Sequence, residues 1–196
     1  MAEPDTMPGR NAIDWLENEH RLQQELCDVL EEIADTLPGP IEPAQVEFAT
    51  TVLRTSIGRH IAILTHLLFP VLRERALAND EIKTFIGQIT ADNAADEVLA
   101  YDTADQLEAA ADKRQAGKPD MLAYMLRGMF EGRRRHIAWE MSVLIPLARE
   151  RLRPEDLETI NDQDIRSLLV VPCVAETSST CGCLSQRIAN TTDKPG

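Results

Sequence analysis

The chain has little of what most function classes need. Aromatic residues make up 4% of its 196 residues, and β-branched residues form no clusters, so a sheet-built core lacks its usual material. Basic residues are outnumbered: 20 Lys and Arg against 33 Asp and Glu leave a net charge of −13. That field repels phosphate backbones and anionic lipid, which argues against nucleic acid and a membrane surface as partners. No uninterrupted apolar run approaches the roughly 20 residues that span a bilayer. The first residues, Met-Ala-Glu-Pro-Asp, offer neither a basic region nor an apolar run, so no signal peptide is expected. The expectation is a cytoplasmic protein whose four cysteines stay mostly reduced. There is no Ser-His-Asp pattern, no Gly-rich phosphate loop and no dinucleotide-binding fingerprint.

What remains is helix. Ala, Leu, Glu, Arg and Gln are prominent, and apolar residues recur at helical spacing in four long stretches. The first runs from about Ala12 to Leu37 and stops at Pro38-Gly-Pro40. The second runs from about Pro43 to Arg75, with Pro70 expected to kink or break its last turns. The third spans about Asn79 to Lys113, and the fourth about Asp120 to Leu152. Four such helices with short connections predict an all-α, antiparallel up-down four-helix bundle over residues 12–152. Residues 1–11 are expected to be a disordered leader, 153–170 a short extra helix, and 171–196 a flexible tail.

The fourth helix contains an echo of the second. His60-Ile-Ala, Leu68, Pro70 and Arg73-Glu-Arg75 recur 76 positions later as His136-Ile-Ala, Leu144, Pro146 and Arg149-Glu-Arg151. Eight of sixteen ungapped positions agree, which points to two copies of one helical hairpin. One difference stands out. Where the second copy has Glu140, one turn after its histidine, the first has Leu64.

Each apolar stripe is interrupted by polar residues: His20; His60; Asn93 with Glu97; and His136 with Glu140. A single histidine on an apolar face is commonly just a hydrogen-bonded core residue. Four interruptions at similar depth are better explained by one shared site, because buried polar groups are costly unless paired or bound to a metal. Imidazole and carboxylate one turn apart project from the same face and can grip one ion. His66 lies off the stripe and is expected at the surface, as is the basic run Arg133-Arg-Arg135.

With these residues in view, the chain resembles the hemerythrin-like family, the HHE cation-binding domain, over about residues 12 to 152. The resemblance implies a four-helix bundle holding non-heme iron. Glu19-His20 matches the family's first helix, His60 with Leu68-Phe-Pro70 its second, Asp92 and Glu97 its third, and His136, Glu140 and Pro146 its fourth. Leu64 stands where the family's second helix carries Glu, and Asn93 where the third carries His. The ligand set it implies is His20, His60, Glu97, His136 and Glu140, enough for one ion of iron, zinc or manganese and short for a di-iron pair.

Cys27 lies on the inner stripe of the first helix and reads as a small core residue. Cys173, Cys181 and Cys183 fall in the tail, where a redox or soft-metal role and plain exposed thiols both stay open. Function reads first as an iron-binding protein that senses or handles iron, O2, NO or peroxide, with the tail as a contact for a protein partner. An oxidoreductase using an open coordination position, and a metal-free bundle acting through protein contacts, are the alternatives.

Overall fold

A computed structural model of the chain describes residues 11–112 and 118–160; residues 1–10 of the expected leader, residues 161–170 and the tail with Cys173, Cys181 and Cys183 lie outside them, whereas Asn11 belongs to the start of the first helix. Helix α1 (Ala12–Thr36) starts where Asn11 accepts from the amides of Ile13 and Asp14 at 3.0 and 3.2 Å. Asp14 accepts in return from the Asn11 amide, closing a capping box of the kind that contributes about 1 kcal/mol. Helix α2 (Pro43–Arg75) opens with proline at its first position, where the missing N–H costs nothing. Helix α3 (Ile82–Ala111) follows a 3₁₀ turn at Ala78–Asp80 and Glu81, whose φ of 47° is in the left-handed region. Helix α4 (119–151) and the short α5 (Pro154–Thr159) complete the described chain. α1 packs on α2 and α4, and α3 packs on the same two, which is the cyclic neighbour pattern of an up-down bundle. The expected all-α bundle is what the chain forms.

Pro70 does not end α2, but the turns before it depart from α geometry. Residues Leu64–Leu68 widen into a π turn, in which the Phe69 amide donates to the Leu64 carbonyl. The helix then continues over Phe69–Arg75. Helix α4 repeats the device: Glu140–Leu144 form a π turn, the Ile145 amide donates to the Glu140 carbonyl, and Pro146 follows. Proline has no amide to donate and crowds the carbonyl four residues back. A five-residue hydrogen-bond step just before it moves that carbonyl aside, so the helix absorbs the proline at the cost of one widened turn.

The two halves also clasp each other. Arg75, at the end of α2, donates to Asp156 at 2.9 and 2.7 Å. Arg151, its counterpart at the end of α4, donates to Asp80 at 2.7 and 2.8 Å. Asp80 and Asp156 are themselves 76 positions apart, and each accepts from the backbone amide three residues before it, Leu77 and Arg153. The repeat therefore extends five residues beyond the stretch that betrayed it, to Asp80 and Asp156.

Two apolar clusters make up the core. One joins Leu26, Leu30, Ile33, Leu53, Ala104, Leu126 and Phe130. The other joins Leu16, Ile63, Leu64, Phe69, Ile89, Leu144 and Ile160. Each fully buried aliphatic side chain stabilises by about 1.5–3 kcal/mol. α2 is long and apolar enough to cross a membrane, with a mean hydropathy of 1.2 over its best window, which the apolar-run reading did not foresee. Its apolar face, Val46 to Leu72, is turned into these clusters.

Candidate metal centre

Between the two clusters lies a polar layer. His20 of α1, His60 of α2 and Glu140 of α4 are buried, and their ligand atoms lie within 4.8 Å of one another. The Glu140 carboxylate is the hub. Its Oε2 is 2.6 Å from His20 Nε2 and 2.9 Å from His60 Nε2, and its Oε1 is 3.0 Å from His136 Nε2. Three imidazoles from three helices thus aim the same nitrogen at one carboxylate. The π turn beginning at Glu140 carries this hub, so the widened turn and the site are one piece of backbone.

Charge at the hub is held by neighbours. Burial alone would raise Glu140, but His60, His136 and His20 hold its carboxyl well below the ordinary range. Burial pushes His60 down to about 4 against the pull of Glu140, so at neutral pH it is an uncharged imidazole, the form that binds metals. Burial opposes charge on His136 too, yet its hydrogen bonds to Asp96 and Glu140 raise it to about 9.

A second polar layer sits one turn away. Arg133 donates through Nε to Gln23 Oε1 at 2.7 Å and through Nη1 to Asp96 Oδ2 at 2.9 Å. Gln23 donates to Ser56 at 3.0 Å, and Ser56 donates to Glu19 at 2.5 Å. Arg59 closes the chain on Glu19 at 3.0 Å. Asp96 also accepts from His136 Nδ1 at 2.8 Å, joining the layers. The apolar stripe of the fourth helix runs through Gly132 or Arg133, and although the basic run reads as a solvated face, Arg133 is 1% exposed. It lies three residues before His136 and seven before Glu140, so helical periodicity puts it on the core stripe, while Arg134 pairs outside with Asp28 and Glu31.

Each residue expected at the site has a definite place. His20, His60, His136 and Glu140 converge. Glu97 is half-buried near Gly58 and is not in the hydrogen-bonded cluster; Asp96, its neighbour, is the carboxylate that reaches His136. Asn93 is buried, and neither its amide oxygen nor its nitrogen has a partner among the described residues. Asp92 faces outward, accepting from Gln88 at 2.9 Å. His66 is exposed and Cys27 is buried in the core, both as expected, and burial pushes the Cys27 thiol up to about 11, where it is unreactive.

The donor set fits one ion. A four-coordinate ion with bonds of about 2.0–2.1 Å holds its ligand atoms roughly 3.3 Å apart; the Glu140-to-imidazole separations of 2.6 to 3.2 Å would widen by up to about 0.7 Å, while the ligand atoms of His20, His60 and Glu140, all within 4.8 Å of one another, would draw together on the ion. It does not complete a second ion's shell: Leu64, at the position matching Glu140, is fully buried and has no donor atom. The second nitrogens of the three imidazoles are held unequally. His136 Nδ1 has Asp96, His20 Nδ1 meets the Met141 sulfur at 3.1 Å, and His60 Nδ1 has no partner among the described residues. Such outer contacts orient metal-bound imidazoles and raise their basicity.

A family model, the hemerythrin HHE cation-binding domain, matches residues 11–148. The chain belongs to that family. Comparisons with curated proteins and with solved structures return no match. Within this hemerythrin HHE domain, His20, His60 and Glu140 are the residues placed to bind a metal. Sequence reasoning named Asp96 only as a carboxylate that could stand in for the missing bridge, not as the partner of His136, and passed over Gln23, Ser56 and Met141. The available signal was spacing: Gln23 and Ser56 lie three or four residues from His20 and His60 on the same stripes.

Proposed function

We propose that this hemerythrin HHE domain holds a single iron through His20, His60 and Glu140, with His136 beside it, and senses or handles O2, NO or peroxide at an open position. The supporting observation is the fully buried Glu140 carboxylate receiving three imidazoles while Leu64 denies the matching carboxylate. Iron bound by histidine and carboxylate, with positions free, supplies affinity for diatomic ligands and peroxide. The chain's own residues do the rest. Asp96 fixes the ring of His136, Arg133 fixes Asp96, and the two apolar clusters keep water from the layer. The tail cysteines and a protein partner belong to the same reading as means of passing the state on.

The large cavity among the described residues lies away from this site. A cavity of about 600 Å³ is lined by Leu37, Ile41, Ala109, Met121 and Met125, at the bundle end some 17 residues along α1 from His20. That is roughly 25 Å away at 1.5 Å per helical residue.

The test is metal content of protein purified without chelator from iron-supplemented cells, read with the ultraviolet-visible spectrum. About one iron per chain, lost in His60→Leu and Glu140→Gln, is the expected result. Two irons with oxo-bridge bands would overturn the single-ion reading. No metal after anaerobic reconstitution, with His60→Leu more stable than the parent, would favour a metal-free bundle.

A further inference from the structure

The outer nitrogen of His20 meets an oxidisable sulfur. His20 is 2% exposed, whereas Met141, on the π turn after Glu140, is 39% exposed, so the 3.1 Å contact between Nδ1 and Sδ links a buried imidazole to solvent. A thioether is a weak acceptor. Ligating imidazoles ordinarily give their second N–H to a carboxylate, carbonyl or water, as His136 gives its own to Asp96. The tautomer decides when this contact matters. If His20 Nε2 binds an ion through its lone pair, the ring proton sits on Nδ1 and faces the sulfur. In the neutral, ion-free ring, Nε2–H points at Glu140, and bare Nδ1 faces the sulfur with no proton between them. The acceptor strength at residue 141 is therefore felt by the ion-bound form.

We propose that Met141 is a reversible oxidation site that sets the grip of His20 on its ion. Peroxide is the oxidant: a sulfur lone pair attacks one peroxide oxygen, the O–O bond breaks, and the S–O bond forms. The other oxygen leaves as water; the sulfur loses two electrons and the peroxide gains them. The sulfoxide oxygen is a far stronger acceptor for His20 Nδ1–H than the thioether was, so it stabilises the ion-bound tautomer. Sulfoxide reductases with a thiol donor reverse the change. The inference rests on His20 being a metal ligand. Two other methionines serve as internal references: Met129 is 1% exposed, and Met121, at the distant cavity, is 63% exposed.

The experiment uses the metal-free full chain and zinc, which undergoes no redox chemistry of its own. Protein is treated with hydrogen peroxide, then with thiol to return disulfides to cysteine, mapped by peptide mass spectrometry, and titrated with zinc against a competing chelator. Met141 is expected to gain one oxygen while Met129 stays intact, and the zinc Kd to fall about tenfold. Reductase should restore the original Kd. Met141→Leu should hold its Kd through the treatment, and Met141→Gln, whose amide oxygen imitates the sulfoxide, should bind tightly without it. Zinc binding that survives Met141 oxidation unchanged, or a Met141 left intact when Met121 is fully oxidised, overturns the inference and leaves the metal site standing. Absence of zinc binding before any treatment overturns both.

Discussion

At the scale of single residues, Arg133 is the side chain on which the centre leans without being part of it. Its guanidinium is buried and supplies hydrogen bonds to Gln23 and Asp96, and Asp96 in turn holds His136. Arg133→Met would remove the cation, leave the Gln23 oxygen without its donor and leave the Asp96 carboxylate with His136 alone. Breaking a buried charge pair from one side costs about 3 kcal/mol. Denaturant unfolding of the metal-free protein should show a loss of that size, with Arg133→Lys recovering only part of it because an ammonium lacks the planar fork. A loss under about 0.5 kcal/mol, the usual range for surface changes, would mean Arg133 is solvated after all. The histidines and Glu140 were legible in the sequence because each interrupts an apolar stripe at the same depth. The bond between Asp96 and Arg133 was not: periodicity allows Gly132 or Arg133 on the stripe and several carboxylates near the site, and a guanidinium in a charged run looks like surface until the helix that covers it is known.

At the scale of elements, the helices could be read from periodicity and their ends from proline and glycine, but how α2 and α4 pass through Pro70 and Pro146 could not. Propensity says that an internal proline breaks a helix; Leu68, Phe69 and Leu144 are packed in one buried cluster beside the prolines, and the helix runs on through a π turn. The Arg–Asp clasp was equally hidden, because pairing across 71 or 81 residues has no local signature. It has a pH signature. Hydrogen bonds from Arg151 and the Leu77 amide hold Asp80 down at about 2, and those from Arg75 and the Arg153 amide do the same for Asp156. A carboxylate whose folded pKa lies below its ordinary 3.8 contributes stability that is fully present above that value and is lost as pH falls through 2. Thermal melts of Asp80→Asn/Asp156→Asn should therefore lie below the parent from pH 5 to 7 and meet it near pH 2. Curves separated by the same margin at both ends would show that the clasp acts by shape alone.

At the scale of the whole molecule, the chain is two hairpin-like halves that have diverged at their centre while keeping their frame. The frame is shared: histidine, π turn, proline, arginine and aspartate recur 76 positions apart. The centre is not, because Glu140 in one half corresponds to Leu64 in the other, each fully buried. Sequence alone exposed that asymmetry, but the partition of the core into two apolar clusters with polar layers between them needed the fold. Since both positions open a π turn, Leu64→Glu would return a carboxylate to the symmetric place without disturbing the backbone. In metal-free protein the new carboxylate has no counter-ion and should cost several kcal/mol. With iron present the sign should change, because a second carboxylate, with His136 and Asn93 replaced by His, supplies what a second ion lacks. Leu64→Glu/Asn93→His is thus expected to unfold at lower temperature than the parent in chelator, to recover on adding iron, and to move from about one iron per chain to about two. Two metals already in the parent would place the missing donors elsewhere in the chain. A double variant that folds with iron yet still holds one would mean that Leu64 and Asn93 are symptoms of a centre whose geometry has closed around a single ion.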